Sequence, residues 1–263
     1  MRPTKEDVAR QFDRMSHAYA ENAGHARGGD LAIVIDFLQP SSDMRVLDIA
    51  TGPGHTAAAV APFVREVLAT DIAPAMLERA VELARSRGLA NLRTALMDAE
   101  SLQVPDASFD AVTCRVAPHH FLSIDTALAE IARVLRAGGA FVLEDSVVPD
   151  DPALDRYLND LERLRDPTHV RSWTGAEWDG KLRAAGLIPK RDTIYRKTHG
   201  VDEWLETAGV DDDIARRVRA ALSSASRDAI ERFAIEFEDD RPVRFTDEKV
   251  IIRAEKAPGS ATH

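Results

Sequence analysis

"VLDIATGPGHTA", residues 46–57, begins as an apolar run and breaks off in an acid and two glycines. Residues 45–50 read as a strand, and the glycines mark the turn that ends it. In an open parallel sheet the ligand site lies beyond the carboxyl ends of the strands, where the strand order reverses. Gly52 and Gly54 stand directly beyond such an end. Glycine there lets the backbone take a positive φ and lets a bulky ligand approach the main chain closely.

Short apolar runs continue the pattern at 66–71, 92–97, 109–115 and 140–146, with helical periodicity between them. One helix starts at Pro74 and stops at Gly88, with Leu77, Val81 and Ala84 as its buried stripe. Another runs over 123–136, with Leu128, Ile131 and Leu135 inward, and ends at "AGG". The rhythm changes after residues 147–152. A helix carrying Leu154, Leu158 and Leu161 on one face leads into the loop "RDPTHVRSW", 165–173. Thr174 and Glu177 make a capping box for a helix that ends at Gly186. Strands follow near 187–197 and 248–256.

This alternation predicts an α/β fold: a Rossmann-like, doubly wound, mostly parallel seven-stranded sheet with helices on both faces. The roughly 50 residues between the last two strands far exceed a usual connection of about 2–6. Ile214, Val218 and Leu222, at spacing four, make part of that segment helical. Residues 200–232 are therefore expected to be a helical insertion before the last strand, serving as a cap or as the contact of a homodimer. Residues 1–256 read as one domain, with 41–148 as its ligand-binding core. The small, polar tail 257–263 is expected to be disordered.

Composition bounds the partners. A formal charge of −10 and a pI near 5.3 argue against nucleic acid, which needs a basic face. No apolar run is long enough to span a bilayer, and the first residues lack the apolar core of a signal peptide. The lone Cys114 can form neither an intrachain disulfide nor a thiolate metal cluster, which fits a reducing cytoplasm. No set of residues with metal-ligand spacing is evident, so no metal is expected.

The glycine turn by itself leaves two cofactors open. "GPGHTA" satisfies the dinucleotide pattern G-x-G-x-x-A, and Asp71 follows about 20 residues on, as a ribose-binding acid would. That pattern serves NAD or S-adenosylmethionine. Asp98 closes the third strand in "LMDAE", where a carboxylate can accept from an adenine amino group, and Asp48 adds an acid beside the turn. Acids there suit a cofactor with an ammonium and a sulfonium, and repel a pyrophosphate. A nicotinamide-dependent oxidoreductase and a non-catalytic cofactor-binding protein are the alternatives to an enzyme using S-adenosylmethionine.

These motifs resemble the class I S-adenosylmethionine-dependent methyltransferases, in particular small bacterial members related to the ubiquinone/menaquinone C-methyltransferases. "VLDIATGPGHTA" is similar to the family's first motif and "VLATDIAPAMLERA" to its second. "LMDAESLQVPDASFDAVTCRVAPHHF" is similar to the third and fourth, and "ALAEIARVLRAGGAFVLED" to the fifth. Ala50 stands where the family usually has a first glycine. The resemblance implies methyl transfer to a small-molecule acceptor by in-line displacement. It puts Gly52 and Gly54 under the methionine portion of the cofactor, and Asp71 on the ribose hydroxyls. Ile72 and Met76 would pack on the adenine, Asp98 with Ala99 would read its edge, and Arg115 would lie near the methionine carboxylate. "QFDRMSHAY", 11–19, resembles the segment that folds over the bound cofactor, which makes 1–40 a pair of lid helices with Tyr19 as the lid aromatic.

Methyl transfer from a sulfonium needs alignment and desolvation, and a base only when the acceptor carries a proton at neutral pH. His119 and His120, just beyond the fourth strand, are the candidates for that base. His169, Arg171 and Trp173, in the 165–173 loop, are candidates for the acceptor pocket, with Arg171 suited to a carboxylate or phosphate. The acid runs 211–213 and 238–240 read as solvated turns or helix starts.

Overall fold

A strand hidden on both faces needs neighbours on both sides, and β1 (Arg45–Ile49), buried from Val46 onward, has them. It pairs in parallel with β2 (Glu66–Asp71) and with β4 (Phe109–Arg115). The computed structural model describes residues 2–21 and 28–257. Its sheet follows the path β3-β2-β1-β4-β5-β9-β7, adding β3 (Leu92–Leu96), β5 (Leu135–Val148), β7 (Leu187–Gly200) and β9 (Arg241–Lys256). The first five strands of that path run parallel, and β9 is antiparallel to both β5 and β7. Two short strands, absent from the sequence expectation, extend this path: β6 (Trp173–Thr174) beside β5 and β8 (Glu236–Glu238) beside β9. The order reverses between β1 and β4, which puts a crevice beyond their carboxyl ends.

Period-two alternation sorts the core into two layers. Leu47, Ile49, Phe141 and Leu143 face helices Ile124–Val134 and Gly175–Ala184. Val46, Ala140 and Val142 face helices Gly29–Leu38 and His55–Val60. A third cluster lies under the insertion, whose helices are Val201–Thr207, Asp212–Ser223 and Arg227–Arg232. Val218 and Leu222 are buried there with Leu158 and Phe245, and Ile214 packs against them. The apolar stripe is thus covered within the chain.

Local signals explain most helix starts. Ser123, Asp151 and Asp211 cap their helices with side-chain oxygens, and Thr174 with Glu177 forms a complete capping box. Ala73 cannot cap helix Pro74–Ser86, so Asp13 of helix Lys5–Glu21 does, accepting from the Ala75 amide at 2.9 Å.

The boundaries differ from expectation in three places. The helix expected over 123–136 ends at Val134, because the chain enters β5 at Leu135 and "AGG" lies inside the strand. β7 runs on to Gly200 and β9 begins at Arg241, because the two pair with each other along their polar outer halves. Apart from Ala257, the tail 257–263 lies outside the described residues.

Ala50 has φ 50°. The left-handed conformation that a glycine would adopt freely is here forced on a residue with a Cβ, at a cost of about 1–2 kcal/mol. Ala50→Gly is therefore expected to raise stability by about 0.5–1 kcal/mol, the relief of strain being partly offset by the freer unfolded chain. Urea unfolding would read this as a higher midpoint at unchanged slope. A midpoint that stays or falls means the Ala50 methyl, packed against the core, outweighs the strain.

Candidate functional site

Two cavities lie side by side at the carboxyl edge of the parallel strands, and Tyr19, Val116 and His120 line both. The first, of about 1000 Å³, is walled by the glycine turn, the ends of β1, β2 and β4, and helix Lys5–Glu21. The second, of about 940 Å³, is walled by the end of β5, by β7 and β9, and by the first inserted helix.

The turn that frames the first cavity is held from below. Asp48 is buried, and its two carboxylate oxygens accept from the hydroxyls of Thr51 at 2.5 Å and Thr113 at 2.6 Å. Burial raises its carboxyl above the ordinary value, against those two hydroxyl donors. Asp71, at the end of β2, accepts from the amides of Gly52 at 2.8 Å and Ala73 at 2.9 Å. Burial pushes this carboxyl up to about 6, although the amides pull it down. Gly54 has φ 86°, and a Cβ on it would lie 2.8 Å from that of Ala80, so the glycine lets the turn pack on helix Pro74–Ser86. Gly52 has φ 54°, and a Cβ there would meet nothing within 4 Å. Gly54 is for packing, Gly52 for open space beside the cavity.

Ile72, Met76, Asp98 and Ala99 also line the first cavity. Asp98 accepts from the Glu100 amide at 2.9 Å and pairs with Lys5, which also reaches Glu100 at 3.1 Å. The N-terminal helix is thereby tied across the adenine side of the expected site. Arg115 donates to Thr56 at 2.9 Å and to Asp30 at 2.5 Å, bridging the glycine-turn helix to helix Gly29–Leu38. Tyr19 is reached by the edge of Phe12, and burial pushes its phenol up to about 12. All ten residues expected to contact the cofactor except Gly54 line this cavity, and Gly54 supports the turn from behind.

His119 lines the second cavity. Its Nδ1 lies 2.5 Å from Oδ1 of Asp145, a fully buried residue whose same oxygen accepts from the Ser146 amide at 2.8 Å. The second oxygen of Asp145 has no hydrogen-bond partner among the described residues. Burial pushes the Asp145 carboxyl up to about 7 and, with His120 beside it, holds the His119 imidazole well below its ordinary value. His120 lies at the junction of the cavities, its Nδ1 3.1 Å from the Thr168 carbonyl.

The 165–173 loop divides. His169 is buried, lines the second cavity and contacts the Asn159 carboxamide oxygen at 2.9 Å. Arg171 and Trp173 line neither cavity. Arg171 is bound by Asp155 at 2.9 Å and Glu177 at 3.0 Å, and its guanidinium lies over the Trp173 ring. The second cavity is lined instead by residues the sequence did not single out, among them Glu162, Arg165, Lys197, His199, Trp204 and Lys249. No group of His, Cys, Asp and Glu that could hold a metal occurs among the described residues.

A glycine turn, a ribose-range acid and a cleft at the switch point mark a nucleoside-cofactor site, and comparison with known proteins specifies the chemistry. Residues 47–143 match the family described as "Methyltransferase domain". The methyltransferase YcgJ of Bacillus subtilis (strain 168) is 36% identical over 246 residues, covering 93% of this chain and 97% of that protein. The demethylmenaquinone methyltransferase of Deinococcus radiodurans is 44% identical over 205 residues, covering 77% of this chain and 81% of that one. The crystal structure of YcgJ superposes with a TM-score of 0.84 at 37% identity, covering 87% of this chain and 98% of that one. The chain belongs to the class I S-adenosylmethionine-dependent methyltransferases, and S-adenosylmethionine is its cofactor.

The two glycines should separate on mutation. Gly54→Ala, which drives a methyl into Ala80, is expected to lower stability by about 1–3 kcal/mol. Gly52→Ala should cost only about 1 kcal/mol in stability from its left-handed backbone. It should also weaken S-adenosylhomocysteine binding about tenfold, or about 1.4 kcal/mol, by filling space at the cavity wall. Calorimetric titration alongside urea unfolding checks both, and unchanged affinity in Gly52→Ala would remove that glycine from the cofactor wall.

Proposed function

We propose that the first cavity holds S-adenosylmethionine and the second a small-molecule methyl acceptor, which His119 deprotonates under the control of Asp145. The buried His119–Asp145 pair carries this reading. When bound, the cofactor supplies a methyl on a sulfonium, electrophilic enough to need no metal or covalent enzyme intermediate. The residues present fit it. Asp71 has about four acceptor positions and spends two on amides, which leaves two for ribose hydroxyls. Ile72 and Met76 offer an apolar face to adenine, Asp98 with Ala99 its polar edge, and Arg115 the methionine end. Asp48 holds the turn, and Tyr19 closes the boundary between the two cavities.

The proton chemistry follows from the pair. Below about pH 7 Asp145 is protonated, its carboxyl donates to Nδ1, and His119 keeps its own proton on Nε2, where it cannot act as a base. Above about pH 7 the carboxylate accepts from Nδ1–H, and Nε2 presents a lone pair to the cavity. The same ionisation switches the tautomer and creates the base. His120, its Nδ1 directed at a backbone carbonyl, and His169, held by Asn159, fix the rest of the wall. His120 is read as packing the path between cofactor and acceptor. The single buried Cys114 and the net charge of −10 support a reducing cytoplasm and no nucleic-acid partner. With its apolar stripe covered internally, the insertion is read as the acceptor's cap, and a homodimer would use another surface.

His119→Ala is expected to keep near-normal S-adenosylhomocysteine affinity while turnover falls about 100- to 10,000-fold. Asp145→Asn should fall within the same range by leaving the tautomer unset. An acceptor screen with labelled cofactor followed by these two variants is the test. Full turnover by both would reduce catalysis to positioning.

The pH dependence has a definite sign. Turnover should rise with pH through about 7 as the pair ionises, a value that belongs to the pair and not to one residue. Stability runs the other way. A carboxyl raised from 3.8 to about 7 contributes stability that is complete below about pH 4 and is lost as pH rises through about 7. Relative to wild type, Asp145→Asn should therefore gain stability between pH 5 and pH 8. Thermal unfolding at the two values reads the difference, and a constant difference contradicts the raised carboxyl.

A further inference from the structure

The wall of the second cavity carries three cations, Arg165, Lys197 and Lys249, and two of them are paired. Arg165 is neutralised by Glu162 at 3.0 Å and lies over the Trp204 ring at 4.4 Å. Lys249 is neutralised by Asp247 at 2.7 Å and also donates to Ser146 at 2.6 Å. Asp247 is shared with His199 at 3.0 Å, so it has little left to offer. Lys197 lines the same cavity from β7, half-buried, in register with Asp247, and makes no hydrogen bond or ion pair among the described residues. Burial and the neighbouring Lys249 hold its ammonium below the ordinary lysine value, against the fields of Asp247, Asp30 and Glu144. Arg165 and Lys249 thus each have a carboxylate of their own, and the remaining acid of the wall, Glu203, is exposed on the first inserted helix. A charge withdrawn from water without a partner is costly, so such a group is ordinarily paired.

We infer that the second cavity selects a methyl acceptor carrying one carboxylate, which the unpaired ammonium of Lys197 neutralises. This rests on the reading of that cavity as the acceptor site. A single negative charge matches the one unpaired ammonium. A phosphate dianion would exceed it while facing Glu162 and Glu203 in the same enclosure. The neutral acceptor of equal shape leaves Lys197 desolvated and unpaired, so discrimination comes from the cavity's own uncompensated charge as much as from the bond formed.

The probes are benzoate and its neutral isostere benzamide, added to the full-length protein without cofactor and followed by histidine-ring ¹H–¹⁵N spectra. His119, His169 and His199 line the cavity and report on it. Benzoate should shift their resonances saturably and benzamide should not. Lys197→Met should weaken benzoate about tenfold or more, the loss of one charge-assisted hydrogen bond, and Lys197→Arg should largely restore it. Benzoate also should inhibit methyl transfer competitively against the acceptor. Equal binding of benzoate and benzamide, or unchanged benzoate binding in Lys197→Met, overturns the inference. So does benzoate binding that never competes with the acceptor. If neutral acceptors turn over with full dependence on His119 while benzoate leaves the cavity untouched, the anion selectivity falls and the acceptor site stands. If turnover ignores His119 and every cavity residue, the acceptor site falls first.

Discussion

The carboxylate of Asp71 holds together the ends of two adjacent strands, one oxygen on the Gly52 amide and the other on that of Ala73. Left unpaired and buried, each amide would cost about 1–3 kcal/mol, so this one side chain fixes both turns at once. The first turn frames the cofactor cavity. The second starts helix Pro74–Ser86, whose next free amide is met by Asp13 from the N-terminal helix. Turn, cavity wall and N-terminal helix are consequently one mechanical unit. Burial that raises the carboxyl to about 6 also leaves its remaining lone pairs poorly solvated, and so disposed toward hydroxyl donors such as those of the ribose proposed there.

Parts of this arrangement are legible in the sequence because the physics that produces them is local. Parallel strands buried on two faces must be continuous apolar runs, which is why β1, β2, β4 and the middle of β5 are visible as residues alone. The glycine turn is visible because only certain backbones tolerate it. The outer halves of β7 and β9 are not visible, since they alternate polar residues and owe their regularity to each other.

The His119–Asp145 pair lies in the same blind spot. Its members are 26 residues apart, and they meet because β4 and β5 pair with Arg115 opposite Glu144, which sets the ends of both strands side by side. Register is a tertiary fact. A basic and aromatic loop at 165–173 misled for the complementary reason: Arg171 and Trp173 have the chemistry of a ligand contact but spend it on Asp155, Glu177 and each other. Two consecutive acids in "VLED", pointing to opposite faces of one strand, held the more informative signal. Both are raised to about 7 by burial, Glu144 bonded to the Tyr195 hydroxyl on one face and Asp145 to His119 on the other. Asp145 leaves one oxygen without a partner among the described residues, and Glu144 faces Asp30.

The residues between β7 and β9 leave the sheet as an excursion from one antiparallel ladder and return to it in register. Their helices carry Trp204 and Glu203 to the wall of the second cavity yet line no part of the first. Doubling the length of such an excursion costs only about 0.6 kcal/mol in closure entropy. Under the proposed reading, acceptor choice can therefore drift by insertion, deletion and substitution in a segment that meets the first cavity only through the N-terminal helix. In evolutionary terms the proposal separates a fixed reagent holder from an interchangeable substrate mould, with the junction drawn at Tyr19, Val116 and His120.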